Sequence, residues 1–332
     1  MKILVIGLGS MGKRRIRNLK LLNKKNISGF DVNKKRCTDI SKQYKIPTYK
    51  NFNKALKHQK PNLLIISTPP DKHYSYAYKA LKEKIDAFME VSVENPKKVY
   101  NFYKKAINSK QVITPSSTMI YHEMPKKIKK LINQNFIGKV LNINYQTGQY
   151  LVDWHPWEKI SDYYVSKKST AACKEIIVFE LVWLIDIFGI PKVINSYKDK
   201  ISKLKTNVND IYHFVLKFPN KVIANITIEI LSRPVPTREL VIIGSNGKIV
   251  YDNLTKTIKC LNYKKNKKIF SWKVKHGKII KNYVNPEKPY IDEMKNFLLL
   301  IKKRKLKESR NFLMNELKIL NLLKDIEGNK KS

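Results

Sequence analysis

The sequence predicts an α/β protein with an open, doubly wound parallel sheet at its N-terminus and an α+β domain built on a mostly antiparallel sheet after it. Three observations carry this prediction. An apolar run, Ile3 to Ile6, leads through Gly7-Leu8-Gly9-Ser10-Met11-Gly12 into a helix-like stretch that ends at Leu22. Strand-like and helix-like segments then alternate to residue 118, which implies right-handed crossovers in one parallel sheet. Beyond 119, long extended segments follow one another, as strands of an antiparallel sheet do. The expected division is therefore 1–118 and 119–332, with the last helices able to pack back on the first domain.

In the first domain the glycine spacing has a physical reading. Gly7 permits a tight turn, Gly9 lets the backbone approach a pyrophosphate, and Gly12 lets the helix pack closely on its strand. The diphosphate would meet free N–H groups at a positive helix end. Asp31 closes the next strand, nineteen residues after Gly12, where a carboxylate can accept hydrogen bonds from both ribose hydroxyls; this favours NAD over NADP. The alternation continues with helices over 33–44, 52–58, 71–84 and 96–108 and strands over 46–49, 62–67, 86–89 and 111–114. Asp71 is expected to cap the third of these helices, and Pro96 to occupy the first turn of the fourth. Ligands should collect outside the carboxyl ends of the strands, at Gly7, Asp31, Ser67-Thr68-Pro69-Pro70, Glu90 and Pro115-Ser116-Ser117.

The second domain opens with a helix over 124–135 and a long strand over 138–150. An irregular, aromatic-rich loop over 151–170 precedes a strongly apolar helix over 173–188. Extended segments follow over 193–201, a hairpin over 211–230 turning at Pro219-Asn220, and another over 239–251 turning at Asn246-Gly247, with further strands near Ile258 and Phe270. A closing helical region, 289–325, is expected to break near Lys307 to Ser309, and residues 328–332 read as a frayed tail.

Composition narrows the function classes. Sixty-seven Lys and Arg against twenty-six Asp and Glu leave a net charge of +41, which ordinarily suggests nucleic acid. Only eight of those residues are arginine, the residue suited to bidentate readout of phosphates and bases. The lysines are spread along every segment, so a nucleic-acid partner is not expected. The positive field should instead draw in anionic small molecules. Three widely separated cysteines, Cys37, Cys173 and Cys260, lack metal-site or disulfide spacing, which points to no metal and to a reducing cytoplasm. The longest apolar stretch, 176–190, contains Glu180 and Asp186 and is too short to span a bilayer. The N-terminal apolar run meets Lys13-Arg14-Arg15, unlike the core of a signal peptide.

Taken together, Gly7-Leu-Gly9-Ser-Met-Gly12, Ser67-Thr68-Pro69-Pro70-Asp-Lys-His73, Glu90 after the fifth strand, and the helix followed by Ile137-Gly138-Lys139-Val140 resemble the glucose-fructose oxidoreductase / inositol dehydrogenase / MocA family over essentially the whole chain. The resemblance implies a Rossmann domain, an α/β substrate domain, NAD(P)-dependent oxidation or reduction of sugars, cyclitols or nucleotide sugars, and a homodimer or homotetramer. It places Gly7, Gly9, Ser10, Met11, Gly12 and Asp31 on the adenosine diphosphate half of the cofactor. Thr68, Pro69, Pro70, His73 and Glu90 would surround the nicotinamide half, although His73 reads equally well as a residue that only closes its loop. The segment from Gln149 to Glu158 is similar to members associated with surface-polysaccharide sugars.

Two departures from the family pattern bear on catalysis. The lysine expected after Glu90 is absent, since the chain reads Glu90-Val91-Ser92, and no histidine lies on the helix after Ala171-Ala172-Cys173, where the expected position falls on or next to Glu180. Glu180 interrupts an apolar helix, so desolvation is expected to raise its pKa and make it usable as an acid or base; a buried Glu paired with a lysine is the alternative. His155, in the aromatic loop, is the second candidate. His122 would reach substrate or cap its helix, and Lys174 would restore the missing positive charge or sit exposed. Trp154, Trp157, Tyr163 and Tyr164 would stack on a sugar face or pack as a lid. Loss of both expected catalytic residues leaves a second reading open, a cofactor-binding protein without turnover that acts as a partner or sensor.

Overall fold

The computed structural model describes residues 1–156, 159–263, 268–275, 277–281, 283 and 285–328. The chain forms two compact units, one from Met1–Thr118 with Glu287–Leu317 and one from Met119–Pro286 with Lys318–Ser332.

The first unit begins with β1 (Ile3–Ile6), α1 (Ser10–Leu21), β2 (Ile27–Phe30), α2 (Lys34–Tyr44), β3 (Thr48–Tyr49) and α3 (Phe52–Gln59). It continues through β4 (Leu63–Ile66), α4 (His73–Lys82), β5 (Asp86–Met89), α5 (Pro96–Ala106) and β6 (Ile113–Pro115). The six strands are parallel, in the order β3-β2-β1-β4-β5-β6. The order reverses beside β1, so the crevice at its carboxyl end is where this topology leaves room for a ligand. β1 and β4 are entirely buried, which explains their uninterrupted apolar sequences. Asn33, Asn51 and Asn95 cap α2, α3 and α5 through their side chains. Asp71 does not cap α4. Pro69-Pro70 enters a 3-10 turn over Pro70–Lys72, the helix starts at His73, and Asp71 pairs with Lys72 at 3.3 Å.

The second unit comprises α6 (Glu123–Asn133), β7 (Val140–Gly148), α7 (Ala172–Phe188), β8 (Lys192–Asp199), β9 (Ile211–Lys217), β10 (Ile223–Glu229), β11 (Thr237–Gly244), β12 (Gly247–Asp252), β13 (Thr257–Asn262) and β14 (Lys268–Lys273). Their order is β14-β13-β12-β11-β7-β10-β9-β8. Every adjacent pair is antiparallel except β7 with β10. The period-two pattern sends Ile143, Tyr145 and Thr147 of β7 inward and leaves Asn144 and Gln146 exposed. Between β7 and α7 the chain makes short 3-10 turns at Leu151–Trp154, Ile160–Asp162, Tyr164–Ser166 and Lys168–Thr170. Trp157 and Glu158 lie outside the described residues.

Two helices complete the chain, α8 (Glu287–Lys302) and α9 (Leu306–Gly328). α8 lies on α1, and its Met294, Phe297, Leu300 and Ile301 join the core built around Ile3, Val5 and Leu19. The helical break falls at residues 303–305, not at 307–309. Arg304 adopts a left-handed backbone (φ 47°) and its guanidinium reaches Asp86 at 2.7 Å. Ser309 is inside α9, where its hydroxyl donates to the Ile113 carbonyl at 2.7 Å and accepts from the Ile113 N–H at 2.9 Å, pinning the edge strand β6.

Candidate functional site

At the carboxyl edge of the parallel sheet the glycines divide into two kinds. Gly7 holds φ +86°, and a Cβ there would lie 2.6 Å from the Ser67 carbonyl oxygen; one on Gly12 would lie 1.9 Å from the Gly7 carbonyl oxygen. Neither position tolerates a side chain. Gly9 is different: the nearest atom to a Cβ built there is Arg36 Nη1, at 3.8 Å. Gly9 also begins α1 without a side-chain cap, and Ser10, Met11 and Gly12 form an uncapped first turn with no acidic residue. This is an open cradle of N–H donors at a positive helix end.

Asp31 is buried beside this turn. Its Oδ2 accepts from the Leu8 N–H at 2.8 Å and its Oδ1 from the Asn33 N–H at 2.8 Å, so the carboxylate ties the glycine loop to the end of β2. Arg36 Nη1 stands 3.8 Å from Asp31 Oδ2 on the half-exposed side.

The loop after β4 has a buried hydroxyl, Thr68 Oγ1, with no hydrogen-bond partner among the described residues. Pro69 is exposed and Pro70 buried. His73 is 1% exposed, and its Nε2 lies 2.7 Å from the Thr68 carbonyl oxygen. Burial pushes the His73 pKa below its ordinary value, against the pull of the Thr68 carbonyl. A carbonyl oxygen can only accept, so Nε2–H donates to Thr68 and closes the loop. Glu90, one residue past β5, receives Arg15 Nε at 2.6 Å and Nη2 at 2.9 Å, and the Ser67 hydroxyl lies 3.4 Å away.

The structure supplies Glu180 with partners that the sequence did not disclose. Oε1 accepts from Arg238 Nη2 at 2.5 Å, and Oε2 accepts from Tyr145 Oη and Trp183 Nε1, each at 2.7 Å, with Arg238 Nη1 at 3.3 Å. Of the two expectations, a desolvated acid or base and a paired buried Glu, the geometry gives a paired carboxylate, and the partner is arginine, not lysine. Burial works against the Arg238 charge, but Glu180 more than offsets it and raises the guanidinium pKa. Burial beside the same carboxylate pushes the Tyr145 phenol up.

The remaining candidates separate as follows. Lys174 Nζ lies 2.5 Å from Glu327 Oε2, while Oε1 of the same carboxylate accepts from the Tyr212 hydroxyl at 2.6 Å, so this lysine is committed to a salt bridge. The His122 ring packs edge-on against Phe179 with centroids 6.3 Å apart, and Phe179 immediately precedes Glu180 on α7. The His155 ring stacks on Tyr163 at 4.2 Å and 22°. Tyr164 donates to Glu175 at 3.0 Å and serves the loop's own packing. Trp154 is partly buried beside His155 in sequence.

Sequence reasoning missed Arg15, Arg238, Glu293 and Glu316. Arg15 on a helix and Arg238 on a strand look solvated in a lysine-rich chain, and their acidic partners are remote in sequence. The one available signal was carboxylates within apolar stretches, which require partners.

Family models match most of the chain. One described as an oxidoreductase family with an NAD-binding Rossmann fold covers residues 1–113, and one for the GFO/IDH/MocA C-terminal domain covers residues 126–250. No curated protein matches the sequence. An oxidoreductase from Agrobacterium radiobacter, solved with NAD+, L-tartaric acid and magnesium, has a TM-score of 0.78 at 12% identity over 99% of this chain and 97% of that one. Levoglucosan dehydrogenase, solved with NADH, has a TM-score of 0.78 at 13% identity over 98% and 97%. An inositol dehydrogenase homolog from Azotobacter vinelandii, solved with NAD+, has a TM-score of 0.77 at 9% identity over 99% and 96%. At these identities the likeness is one of fold.

Proposed function

Because this chain belongs to the oxidoreductase family that joins an NAD-binding Rossmann fold to the GFO/IDH/MocA C-terminal domain, we propose that it is an NAD-dependent dehydrogenase or reductase acting on a CH–OH group of a sugar, cyclitol or nucleotide sugar. The contrast among the glycines carries the reading. Space is sealed at Gly7 and Gly12, where strand and helix meet, and open at Gly9, where a diphosphate approaches. The first-turn N–H groups of Ser10, Met11 and Gly12 hold that diphosphate, and Asp31 takes the ribose hydroxyls with the lone pairs that Leu8 and Asn33 leave over. Its negative charge disfavours the 2′-phosphate of NADP. Thr68 Oγ1, a buried hydroxyl with no partner among the described residues, Pro69, Pro70 and Glu90 face the nicotinamide half, with His73 holding their loop closed.

Bound NAD supplies the hydride chemistry that side chains lack. The protein must still take the proton of the reacting hydroxyl. His122 is the residue proposed for it: its imidazole packs on Phe179, at the helix position beside Glu180 where the family pattern has a histidine, and imidazole titrates near neutral pH. Glu180, filled by Arg238, Tyr145 and Trp183, supports α7. His155 on Tyr163 and the neighbouring Trp154 offer aromatic faces suited to a sugar ring. The cationic surface favours an anionic substrate such as a nucleotide sugar, and the Gln149–Glu158 resemblance extends this to surface-polysaccharide sugars. Three buried free cysteines fit the cytoplasm, and the family resemblance supports a homodimer or homotetramer.

Fluorescence titration with NADH and NADPH, followed by turnover on a panel of sugars, cyclitols and nucleotide sugars, tests the proposal. NADH should bind more tightly than NADPH, and at least one class should exchange hydride. His122→Gln should keep NADH binding and lower kcat by about a hundredfold or more; an unchanged kcat moves the proton to His155. The reading without turnover is favoured by Val91 in place of lysine and by Lys174 and Glu180 being committed to ion pairs. It predicts NADH binding with no hydride exchange on any panel member, and any turnover eliminates it.

A further inference from the structure

Arg15 stands three residues after Gly12 on a helix that reads Lys13-Arg14-Arg15, yet its side chain is fully buried. Its guanidinium lies over the Phe88 ring at 4.5 Å. Nε and Nη2 form a fork on the Glu90 carboxylate at 2.6 and 2.9 Å, Nη2 also reaches Glu293 Oε2 at 2.9 Å, and Nη1 meets the Tyr290 carbonyl oxygen at 3.4 Å. Glu293 in turn accepts from the Ser116 hydroxyl at 3.0 Å, the Ser117 N–H at 2.6 Å and the Thr118 hydroxyl at 2.7 Å. Burial raises the Glu293 pKa, against the pull of Arg15. One cation thus fixes the chain just past β5 directly and the chain just past β6 through Glu293. Through Glu90 it also touches Ser67, which follows β4.

We propose that Arg15 is a positioning residue for the nicotinamide side of the cofactor site, setting the place of Glu90 and the strand ends around it. The proposal rests on the reading of the first unit as the NAD site. Arg15 does not replace the lysine missing at position 91, because its nitrogens are engaged inside the protein and it has no exposure with which to reach a ligand. It acts through Glu90, and it requires the planar fork: a lysine ammonium delivers charge to one point and cannot hold both carboxylate oxygens in plane.

The test compares NADH with ADP-ribose, which carries the diphosphate and adenosine but no nicotinamide, by calorimetric titration of the full chain. Arg15→Lys should weaken NADH at least about tenfold while ADP-ribose stays within about twofold of wild type. A variant that merely misfolds loses both ligands. Glu90→Asp, which keeps the charge but withdraws the carboxylate from the fork by one methylene, provides the second measurement and should show the same split. The proposal is overturned if Arg15→Lys binds both ligands like wild type. It is equally overturned if Arg15→Lys loses both while Glu90→Asp binds NADH normally. Wild type that binds neither ligand removes the cofactor reading itself, and the inference with it.

Discussion

Glu316, on α9, is a carboxyl in the wrong environment for a charge. It is 6% exposed and its Oε2 accepts from the Tyr74 hydroxyl of α4. Burial pushes its pKa up from 4.5 to about 7, while the Tyr74 hydrogen bond and the Ser92 backbone pull the other way without supplying positive charge. The nearby ionisable groups Glu94 and Tyr78 act on Tyr74 and raise its pKa further. A group raised in the fold contributes no penalty below its unfolded pKa. The penalty grows as pH climbs from about 4.5 to about 7 and then levels off, because the unfolded chain releases the proton first. At pH 8 the cost is about 3 kcal/mol, a large part of the margin of an ordinary domain. Glu316→Gln keeps an oxygen for Tyr74 and has nothing to ionise. Denaturant unfolding of both proteins from pH 5 to pH 8.5 isolates this group, since every other titration is common to them. The variant should gain on wild type by about 2 kcal/mol or more between those limits. Parallel stability profiles would show that Glu316 does not titrate across this range in the fold, and the reasoning from burial would fail.

The glycine contrast is open to direct measurement. Gly9→Ala should melt close to wild type and lose NADH binding at least about tenfold, whereas Gly12→Ala, with its Cβ on the Gly7 carbonyl, should lose about 3 kcal/mol of stability or fail to fold; equal behaviour of the two variants refutes the division into packing and ligand glycines. Asp31→Asn should weaken NADH more than NADPH, and Arg36→Ala should weaken NADPH more than NADH, because Arg36 is the cation nearest Asp31; unchanged ratios in titrations of both coenzymes count against these roles. Glu180→Gln should lower stability by about 2–4 kcal/mol by stranding Arg238, and kcat corrected for the folded fraction should stay within about threefold of wild type. A collapse of kcat with stability intact would return Glu180 to the chemistry.

The parts of the molecule legible in the sequence are those fixed by local rules. Gly7 needs positive φ and Gly12 needs room, so their spacing announces the turn, and fully buried strands such as Leu63–Ile66 show as apolar runs. Antiparallel strands show through alternation, as in β7. What stayed hidden depends on distant partners. Glu180 meets Arg238 across a separation of 58 residues, on a strand where an arginine reads as surface. The break between α8 and α9 is set by Arg304 turning toward Asp86, with no glycine or proline to mark it. Asp71 had the right type for a cap, but the preceding proline pair imposed a 3-10 turn and moved the helix start past it.

The excess of lysine and the scarcity of arginine have a structural counterpart. Five of the eight arginines hold buried or half-buried carboxylates: Arg14 and Arg17 on Glu287, Arg15 on Glu90 and Glu293, Arg238 on Glu180, Arg304 on Asp86. Guanidinium stays charged, is weakly hydrated and holds two oxygens at once, which suits it to a buried acid. Lysine, strongly hydrated, is mostly left to the surface, with Lys174 on Glu327 and Lys200 on the buried Asp210 as exceptions. Among the described residues, the ammonium groups of lysines paired with Glu94, Asp186 and Asp292 are exposed, where each pair contributes little. Several of the scarce acids sit inside the fold matched by arginines, so the outer field is carried mainly by lysine, in keeping with the net charge of +41. Few of the forked groups that read bases stand in that field. It is suited to drawing in an anionic coenzyme and an anionic sugar derivative, and this attraction should weaken with salt as the Debye length shortens from about 10 Å at 0.1 M.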